Sequence, residues 1–339
     1  MQKRLIIATL TLCLLLTGTL SAQQDAPADA FPTVDALNNT EVPAADPVLL
    51  AQRLLGVTDV SVTPRPQPAL GTVEAFNAIN SAQARSFVVN ARLEAIGDHI
   101  YLWVEDGVVL DQGNLQAVAD SFDQRVYDQV RDLWGSEPNP GIDGDPRVHV
   151  LFVRELGAGT GAYYARRHRF PQAVYDTSNE REMFLVNLDA YPAITPGIIE
   201  STLAHEFQHM IRDNIDVNQA TWLNEGFSTF TEAALGYESN LDWLASAFVG
   251  SPGTQLNTFG GTGTNRAVNY GAGFLFVNYF YDRYGEDGVR ALSAQTQNGL
   301  AGVNATLAEL DGSTADILFA DWVVANWVQD ADLGYGYTS

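Results

Sequence analysis

One stretch of the sequence combines two histidines and a glutamate at a spacing that could bind and use a metal ion. His205 and His209 are four positions apart, so on an α-helix both imidazoles project from the same face. Two imidazoles so placed can bind one zinc ion. Glu206 follows the first histidine directly, where its carboxylate can take a proton from a water that the metal activates. The pattern HExxH is short and recurs by chance, so its meaning depends on what the rest of the chain supplies.

A third ligand is available shortly after this segment. Glu225 lies sixteen positions after His209, within the stretch 222–228. This separation leaves room for one short loop and a second, antiparallel helix that turns the carboxylate toward the imidazoles. Catalytic zinc has three protein ligands and one open position, and His205, His209 and Glu225 would form such a set. Glu232, two turns beyond Glu225, could accept a hydrogen bond from a ligating imidazole. An ordinary helix start is the other interpretation of this segment.

Hydrophobic periodicity predicts the elements that position these residues. One helix is predicted over 196–212, with Thr195 as its N-cap, and a second over 221–236. We expect an α+β protein, in which a mixed β-sheet with helices on one side precedes a mostly α-helical part. The basic segment 163–169 is predicted to be a surface loop near the cleft in which a substrate would bind. The predicted strands are 87–96, 99–104, 148–153 and 183–188, an earlier long helix is 114–134, and the later helices are 279–285, 288–295, 302–310 and 314–328.

Composition and charge exclude several classes of function. The 339 residues are enough for one large domain or two smaller ones, and 46% of them are hydrophobic, which can build a substantial core. The net charge of −23 argues against nucleic-acid binding, which needs a basic surface, and against docking on anionic membranes. Solubility is one explanation of this acidity and bound calcium is another. We expect a monomer.

The N-terminus has the pattern of a bacterial secretory signal peptide. Lys3 and Arg4 precede an apolar run that is too short to span a bilayer comfortably, and small residues follow it up to Ala22. The single cysteine, Cys13, lies inside this segment. We therefore predict a signal peptide over 1–22, a secreted protein without disulfides, and no stable membrane association after cleavage; an uncleaved anchor is the alternative. Residues 23–70 are predicted to be a linker or propeptide, and 71–339 the folded domain, with a sheet part over about 86–213 and a helical part over 214–339.

The two motifs together resemble a known family. His-Glu-Phe-Gln-His at 205–209, followed by Trp-Leu-Asn-Glu-Gly-Phe-Ser at 222–228, is similar to the gluzincin metallopeptidases, and especially to secreted hyicolysin-like neutral proteases of bacteria. The resemblance implies a zincin-like fold with the metal site in the cleft between the sheet and the helical part. It implies one catalytic zinc ion with the three ligands above, and Glu206 as the general base. Thr229 stands where thermolysin-like enzymes carry an acidic residue, and Glu232 where zinc aminopeptidases carry a glutamate. Asn224 is a further candidate to support the ligands.

The resemblance also implies residues that act on the substrate. Residues 269–276 resemble the tyrosine segment of zinc aminopeptidases, in which the hydroxyl binds the oxyanion, and this makes Tyr270 the candidate electrophile. A helix-capping aromatic is the other interpretation. By the same analogy, the strand before the metal-binding helix is the edge to which an extended peptide adds its backbone, and the candidate substrate-binding residues are Phe184, Val186 and Asn187.

These observations predict a secreted zinc-dependent endopeptidase acting on protein or peptide substrates. The zinc aminopeptidases carry a Gly-x-Met-Glu-Asn motif for the substrate amine, and this sequence has none. An aminopeptidase-like hydrolase stays an alternative, as does an inactive binding or adhesion module that keeps the fold. The inactive module is disfavoured because all three ligands and Glu206 are present.

Overall fold

A six-stranded mixed sheet forms the first part of the fold. The computed structural model describes residue 33 and residues 45–237, 241–260 and 265–338. The strand order is β1-β2-β3-β4-β6-β5. β1 to β3 are antiparallel, β4 and β6 run parallel to β3, and β5 is antiparallel to β6. The strands are β1 Val73–Asn80, β2 Arg85–Ile96, β3 Ile100–Glu105, β4 Val148–Val153, β5 Ala162–Tyr164 and β6 Met183–Asn187.

The central strands are buried on both faces. β4 and β6 contain no exposed residue, which explains why their sequences are nearly continuous apolar runs rather than alternating ones. One face of the sheet packs against the helices and belongs to the main hydrophobic core. The other face holds a smaller core built from Phe76, Leu93, Tyr101, Trp103, Leu151, Met183 and Leu185. The predicted placement of helices on one side of the sheet is confirmed.

Helices make up most of the second part. The two that carry the candidate metal ligands are α4 (Pro196–Ile215) and α5 (Thr221–Ala234). The long helix α7 (Arg266–Ala294) packs against α5 and bends at Gly285, whose φ is 65°. α2 and α3 are joined by a π-helical turn over Phe122–Val126. The helices are α1 Pro47–Leu50, α2 Gln112–Ser121, α3 Tyr127–Trp134, α4 Pro196–Ile215, α5 Thr221–Ala234, α6 Leu241–Val249, α7 Arg266–Ala294, α8 Gly299–Leu310 and α9 Ala315–Val328.

The predicted α+β class is confirmed, but several elements differ from the sequence-based prediction. The strands β1 and β5 and the helix α6 were not predicted. α7 begins at Arg266, earlier than the predicted 279, and its backbone is not helical at Gly285, which agrees with the predicted break between 279–285 and 288–295. The signal peptide over 1–22 and the stretches 23–32 and 34–44 of the segment 23–70 lie outside the described residues, so those boundaries stay predictions. In the part of the chain that is described, none of the helices combines the length and the hydropathy needed to cross a bilayer.

Candidate metal centre

Two antiparallel helices bring the three candidate ligands together. α4 carries both histidines on one face, and the chain returns through a short loop into α5, which carries Glu225. The Oε2 atom of Glu225 lies 3.4 Å from Nε2 of His205 and 3.4 Å from Nε2 of His209. Within the described residues, this is the one group of three or more His, Cys, Asp or Glu side chains whose ligand atoms lie close enough to share a metal ion.

The separation of these atoms fits a tetrahedral zinc site. With zinc–ligand bonds of about 2.0–2.1 Å, two ligand atoms at tetrahedral positions are about 3.3–3.4 Å apart. The Oε2 atom of Glu225 is buried and has no hydrogen-bond partner within the described chain. Burial alone would raise the pKa of Glu225, but the two histidines outweigh this effect and hold the pKa below its usual range. The site therefore offers a carboxylate and two imidazoles to a cation.

A carboxylate orients the first histidine. Oε1 of Glu232 lies 2.8 Å from Nδ1 of His205, and Ser201 donates a hydrogen bond to the other oxygen of Glu232. Because this contact keeps a proton on Nδ1, Nε2 is the nitrogen that would give up its proton and bind a metal beside Glu225. Burial opposes charge on His205, but its contacts with Glu225 and Glu232 outweigh burial and hold the pKa of this imidazole well above its ordinary value. Glu232 thus lies where the sequence placed it.

The second histidine is supported by a residue that was not predicted. Oγ of Ser228 lies 3.0 Å from Nδ1 of His209 and donates to Oε1 of Gln208 at 2.5 Å. Ser228 stands three positions after Glu225, almost one helical turn, and this spacing is the sequence signal that could have identified it. Thr229 and Asn224 do not fill this role. Oγ1 of Thr229 and Oδ1 of Asn224 are buried and have no hydrogen-bond partner within the described residues.

Glu206 is buried beside the ligands and faces the sheet. Burial raises the pKa of Glu206, and the two histidines partly offset this effect. Its carboxylate interacts with the backbone N–H of Tyr164 in β5, and its Oε2 has no partner within the described structure. A buried carboxylate oxygen without a partner at this position can accept a proton from a molecule that binds in the cleft.

Tyr270 enters the same cleft from α7. Its ring centroid lies 6.2 Å from that of His205, and the ring packs edge-on against Phe259 at 5.0 Å. Burial, together with the nearby charges of Glu225 and Glu206, raises the pKa of Tyr270, so its hydroxyl keeps its proton over the whole physiological range. The side chain is therefore a hydrogen-bond donor that points toward the candidate metal site.

The strand at the cleft is β5, and the predicted substrate edge was wrong. β6 lies between β4 and β5 in the sheet, so its backbone hydrogen-bonding groups face strands on both sides. Phe184 and Val186 are fully buried in the main core. Nδ2 of Asn187 donates to the carbonyl of Thr160 at 2.8 Å, which supports the loop before β5. These three residues are therefore structural, because a short strand that the sequence analysis did not recognise covers β6.

β5 forms one wall of the cleft that contains the candidate metal ligands. The cleft has a volume of about 390 Å³, and β5 lines it together with all three ligands, Glu206 and Tyr270. Asp213, one turn after His209 on α4, ties this wall to the metal-binding helix. It accepts hydrogen bonds from the Tyr164 hydroxyl at 2.9 Å and from Nη1 of Arg169 at 2.7 Å. Asp213 was not predicted, although its spacing of four from His209 placed it on the same helix face.

Comparisons with known proteins agree with the motifs. No family model matches the chain. Among curated proteins, the neutral metalloprotease ShpI of Staphylococcus hyicus is 24% identical over 253 residues, which cover 68% of this chain and 53% of the relative. The chain is thus related to a neutral metalloprotease. It spans about half the length of this relative. The similarity confirms the resemblance to gluzincin metallopeptidases that the HExxH and Asn-Glu-Gly motifs indicated.

Solved structures were also compared with the fold. Two chains of an M1 zinc metallopeptidase from Deinococcus radiodurans align with TM-scores of 0.44 and 0.43, each at 14% sequence identity. The alignments cover 74% of this chain and 52% and 51% of the two solved chains.

Proposed function

We propose that this chain is a zinc-dependent peptidase that hydrolyses peptide bonds. The observation that carries the proposal is the position of Oε2 of Glu225, at tetrahedral spacing from Nε2 of both histidines, with the Glu206 carboxylate beside them and facing strand β5. His205, His209 and Glu225 would hold the metal. A zinc ion in such a site supplies a Lewis acid that activates water and polarises a carbonyl group.

The side chains of this protein would perform the other steps. The outer edge of β5 can pair with the backbone of an extended peptide and so place one carbonyl beside the ligands. Glu206 would accept the proton of the attacking water and deliver it to the leaving amine, because its carboxylate lies beside the ligands and its Oε2 has no partner within the described residues. The Tyr270 hydroxyl would donate a hydrogen bond to the oxyanion as negative charge develops there.

We also propose cleavage within chains rather than at their ends. Space for a substrate continues on both sides of the ligands: Thr160 borders both the central cleft and a neighbouring cavity of about 610 Å³ on one side. On the other side, Tyr164 and His209 border both the central cleft and a cavity of about 350 Å³. An extended peptide could thus pass through the site. The N-terminal sequence supports an extracellular site of action on protein or peptide substrates.

The test compares the wild-type protein with Glu206→Gln. We expect wild type to bind one zinc ion, to cleave casein, and to lose this activity when the metal is removed with a chelator. We expect Glu206→Gln to keep zinc and to lose cleavage. The matched control is Glu309→Gln, on the exposed side of α8, which should behave as wild type. Chelator-sensitive cleavage at the wild-type rate by Glu206→Gln would refute the proposal.

Two further measurements test the position of cleavage and the role of Tyr270. Peptides blocked at both termini should be cleaved internally, whereas cleavage of unblocked peptides alone would favour an aminopeptidase. Tyr270→Phe should lower turnover on the order of 10²-fold with zinc retained, by analogy with the loss of one oxyanion donor. An unchanged rate would exclude the role of Tyr270.

A further inference from the structure

Arg167, in the wall of the cleft, has no acidic partner among the described residues. After β5 the chain forms a single 3-10 turn, Arg166–Arg169. Arg169 forms an ion pair with Asp213 at 2.7 Å, and Nε of Arg166 lies 3.6 Å from the same carboxylate. Arg167, between them, forms no ion pair within the described residues. The sequence predicted an ordinary basic surface loop here, but the three arginines of the turn differ in whether they pair with a carboxylate.

The side chain of Arg167 is partly buried in the wall of the cleft that contains the candidate metal ligands. Its Nε and Nη2 atoms are buried and have no hydrogen-bond partner in the described part of the chain. Its Cζ atom lies 5.9 Å from the centroid of the Tyr163 ring, which supports the side chain from one side. Arg167 lines the same cleft as Glu206 and the three ligands. Buried charged donors without acceptors destabilise a fold, so a ligand that supplies an acceptor there would bind favourably.

The lack of an ion pair at Arg167 within the described residues is unexpected, because the chain as a whole is strongly acidic. Acidic residues outnumber basic ones by 41 to 18, so a carboxylate partner for each arginine would be easy to supply. The cleft contains a second cation, Arg266, which precedes Tyr270 by one turn of α7 and for which the described residues show no ion pair. The acidic groups that line the cleft are Glu206 and Glu225, the general base and the metal ligand of the proposed function. Its remaining charges are therefore positive.

We propose that Arg167 binds a carboxylate of the peptide substrate close to the bond that is cleaved. This inference rests on the proposed function and names its substrate class: peptides that carry Asp or Glu beside the cleavage site, or peptides cut near a free C-terminus. A guanidinium suits this task because its fork of N–H donors matches the two oxygens of a carboxylate. Arg266 adds positive potential on the helical side of the same cleft.

The experiment uses fluorescence-quenched peptides that differ by a single carboxylate. One series has both termini blocked and replaces Gln by Glu at each position in turn, and a second series differs only in a free or amidated C-terminus. We expect wild type to favour the carboxylate form at one position by about tenfold or more in kcat/KM. Arg167→Gln should abolish this preference, so that the Glu and Gln peptides are cleaved with equal kcat/KM. Arg167→Lys should keep part of it.

The control variant removes an equal charge far from the cleft. Arg92 lies on β2, four strands from β5, or about 19 Å at the usual strand spacing, and its side chain is 44% exposed. Arg92→Gln should keep the full preference for the carboxylate form. Arg167→Glu should reverse the preference, so that peptides with Lys at the critical position are cleaved best. Zinc content and circular dichroism establish that each variant is folded.

Binding measurements separate this inference from the proposed function. Fluorescence anisotropy with the zinc-loaded Glu206→Gln protein should show tighter binding of the carboxylate peptides, and a second substitution at Arg167 should remove the difference. If wild type cleaves none of the peptides, the proposed function fails and the binding data alone decide the role of Arg167. The inference is overturned if Glu and Gln peptides behave alike, or if Arg167→Gln slows all peptides by the same factor.

Discussion

A single methyl group added at Gly273 should disturb the metal centre without touching it. Gly273 lies on α7 where this helix crosses α5, and a Cβ atom placed there would come within 2.7 Å of the carbonyl oxygen of Trp222 and 3.3 Å of the Cα of Gly226. Trp222 and Gly226 flank the candidate ligand Glu225 on α5. Gly273 itself is three residues after Tyr270. The crossing point thus sets the distance between two helices that each contribute to the site.

The size of the effect follows from the contact distances. An ordinary contact between carbon and a carbonyl oxygen is about 3.3 Å or more, so the Gly273→Ala variant must move the helices apart by roughly 0.5 Å. The obstacle is backbone, which cannot rotate away as a side chain can. Overpacking of this kind costs about 1–3 kcal/mol of unfolding free energy, which corresponds to a melting temperature lower by about 2–10 °C. A shift of about 0.5 Å is also enough to spoil metal-binding geometry.

The assay is thermal unfolding of the metal-free protein together with zinc affinity measured against a competing chelator. Gly273→Ala should lower both. The control is Gly197→Ala, in the first turn of α4, where an added Cβ meets nothing within 4 Å. This change should leave the melting temperature unchanged or slightly raised, since alanine favours a helix over glycine by about 1 kcal/mol at most. A Gly273→Ala protein with wild-type stability and wild-type zinc affinity would refute the account of the crossing.

Two further predictions concern the carboxylates of Glu232 and Glu182. Glu232→Gln should weaken zinc binding about 10–100-fold, because Nδ1 of His205 loses its charged acceptor. Competition with a chelator measures the zinc affinity, and an affinity equal to that of wild type would contradict this prediction. Glu182 should make stability depend on pH, because burial raises its pKa to about 7 from 4.5. Because its pKa is raised on folding, Glu182 holds its proton more tightly in the folded state. Its contribution to the free energy of unfolding is therefore complete below about pH 4.5 and is lost as the pH rises toward 7 and above. Urea unfolding at pH 5 and pH 8 should show a loss of up to about 3 kcal/mol that Glu182→Gln removes, and an equal pH dependence in both proteins would count against it.

The local features of the candidate site could be predicted because they depend on neighbours in the sequence. The spacing of His205 and His209 determines that both lie on one helix face, and the periodicity of the next helix turns Glu225 and Glu232 to a common side. The α+β class followed from the change of hydrophobic period along the chain. These inferences needed only the geometry of single elements and one short connection.

The position of a strand within a sheet could not be obtained in this way. The apolar run of β6 is typical of a buried strand, but whether it is central or at the edge depends on what pairs beside it. That neighbour, β5, has three residues, which is too short for a periodic signal. The predicted substrate edge was therefore displaced by one strand, and Phe184, Val186 and Asn187 were assigned to a surface that does not exist.

The sequence by itself determined the chemical groups that this protein can offer, namely two imidazoles and two carboxylates at the spacing of a metal site, together with a resemblance to gluzincin metallopeptidases. The tertiary structure alone decided which surfaces meet that chemistry. It brought β5 against Glu206, placed Ser228 beside His209, closed α5 onto α7 at Gly273, and left Arg167 in the cleft wall without an acidic partner among the described residues. The physical reason is that helix periodicity is a local property, whereas pairing, burial and the presence of a counter-charge depend on residues that are distant in the chain.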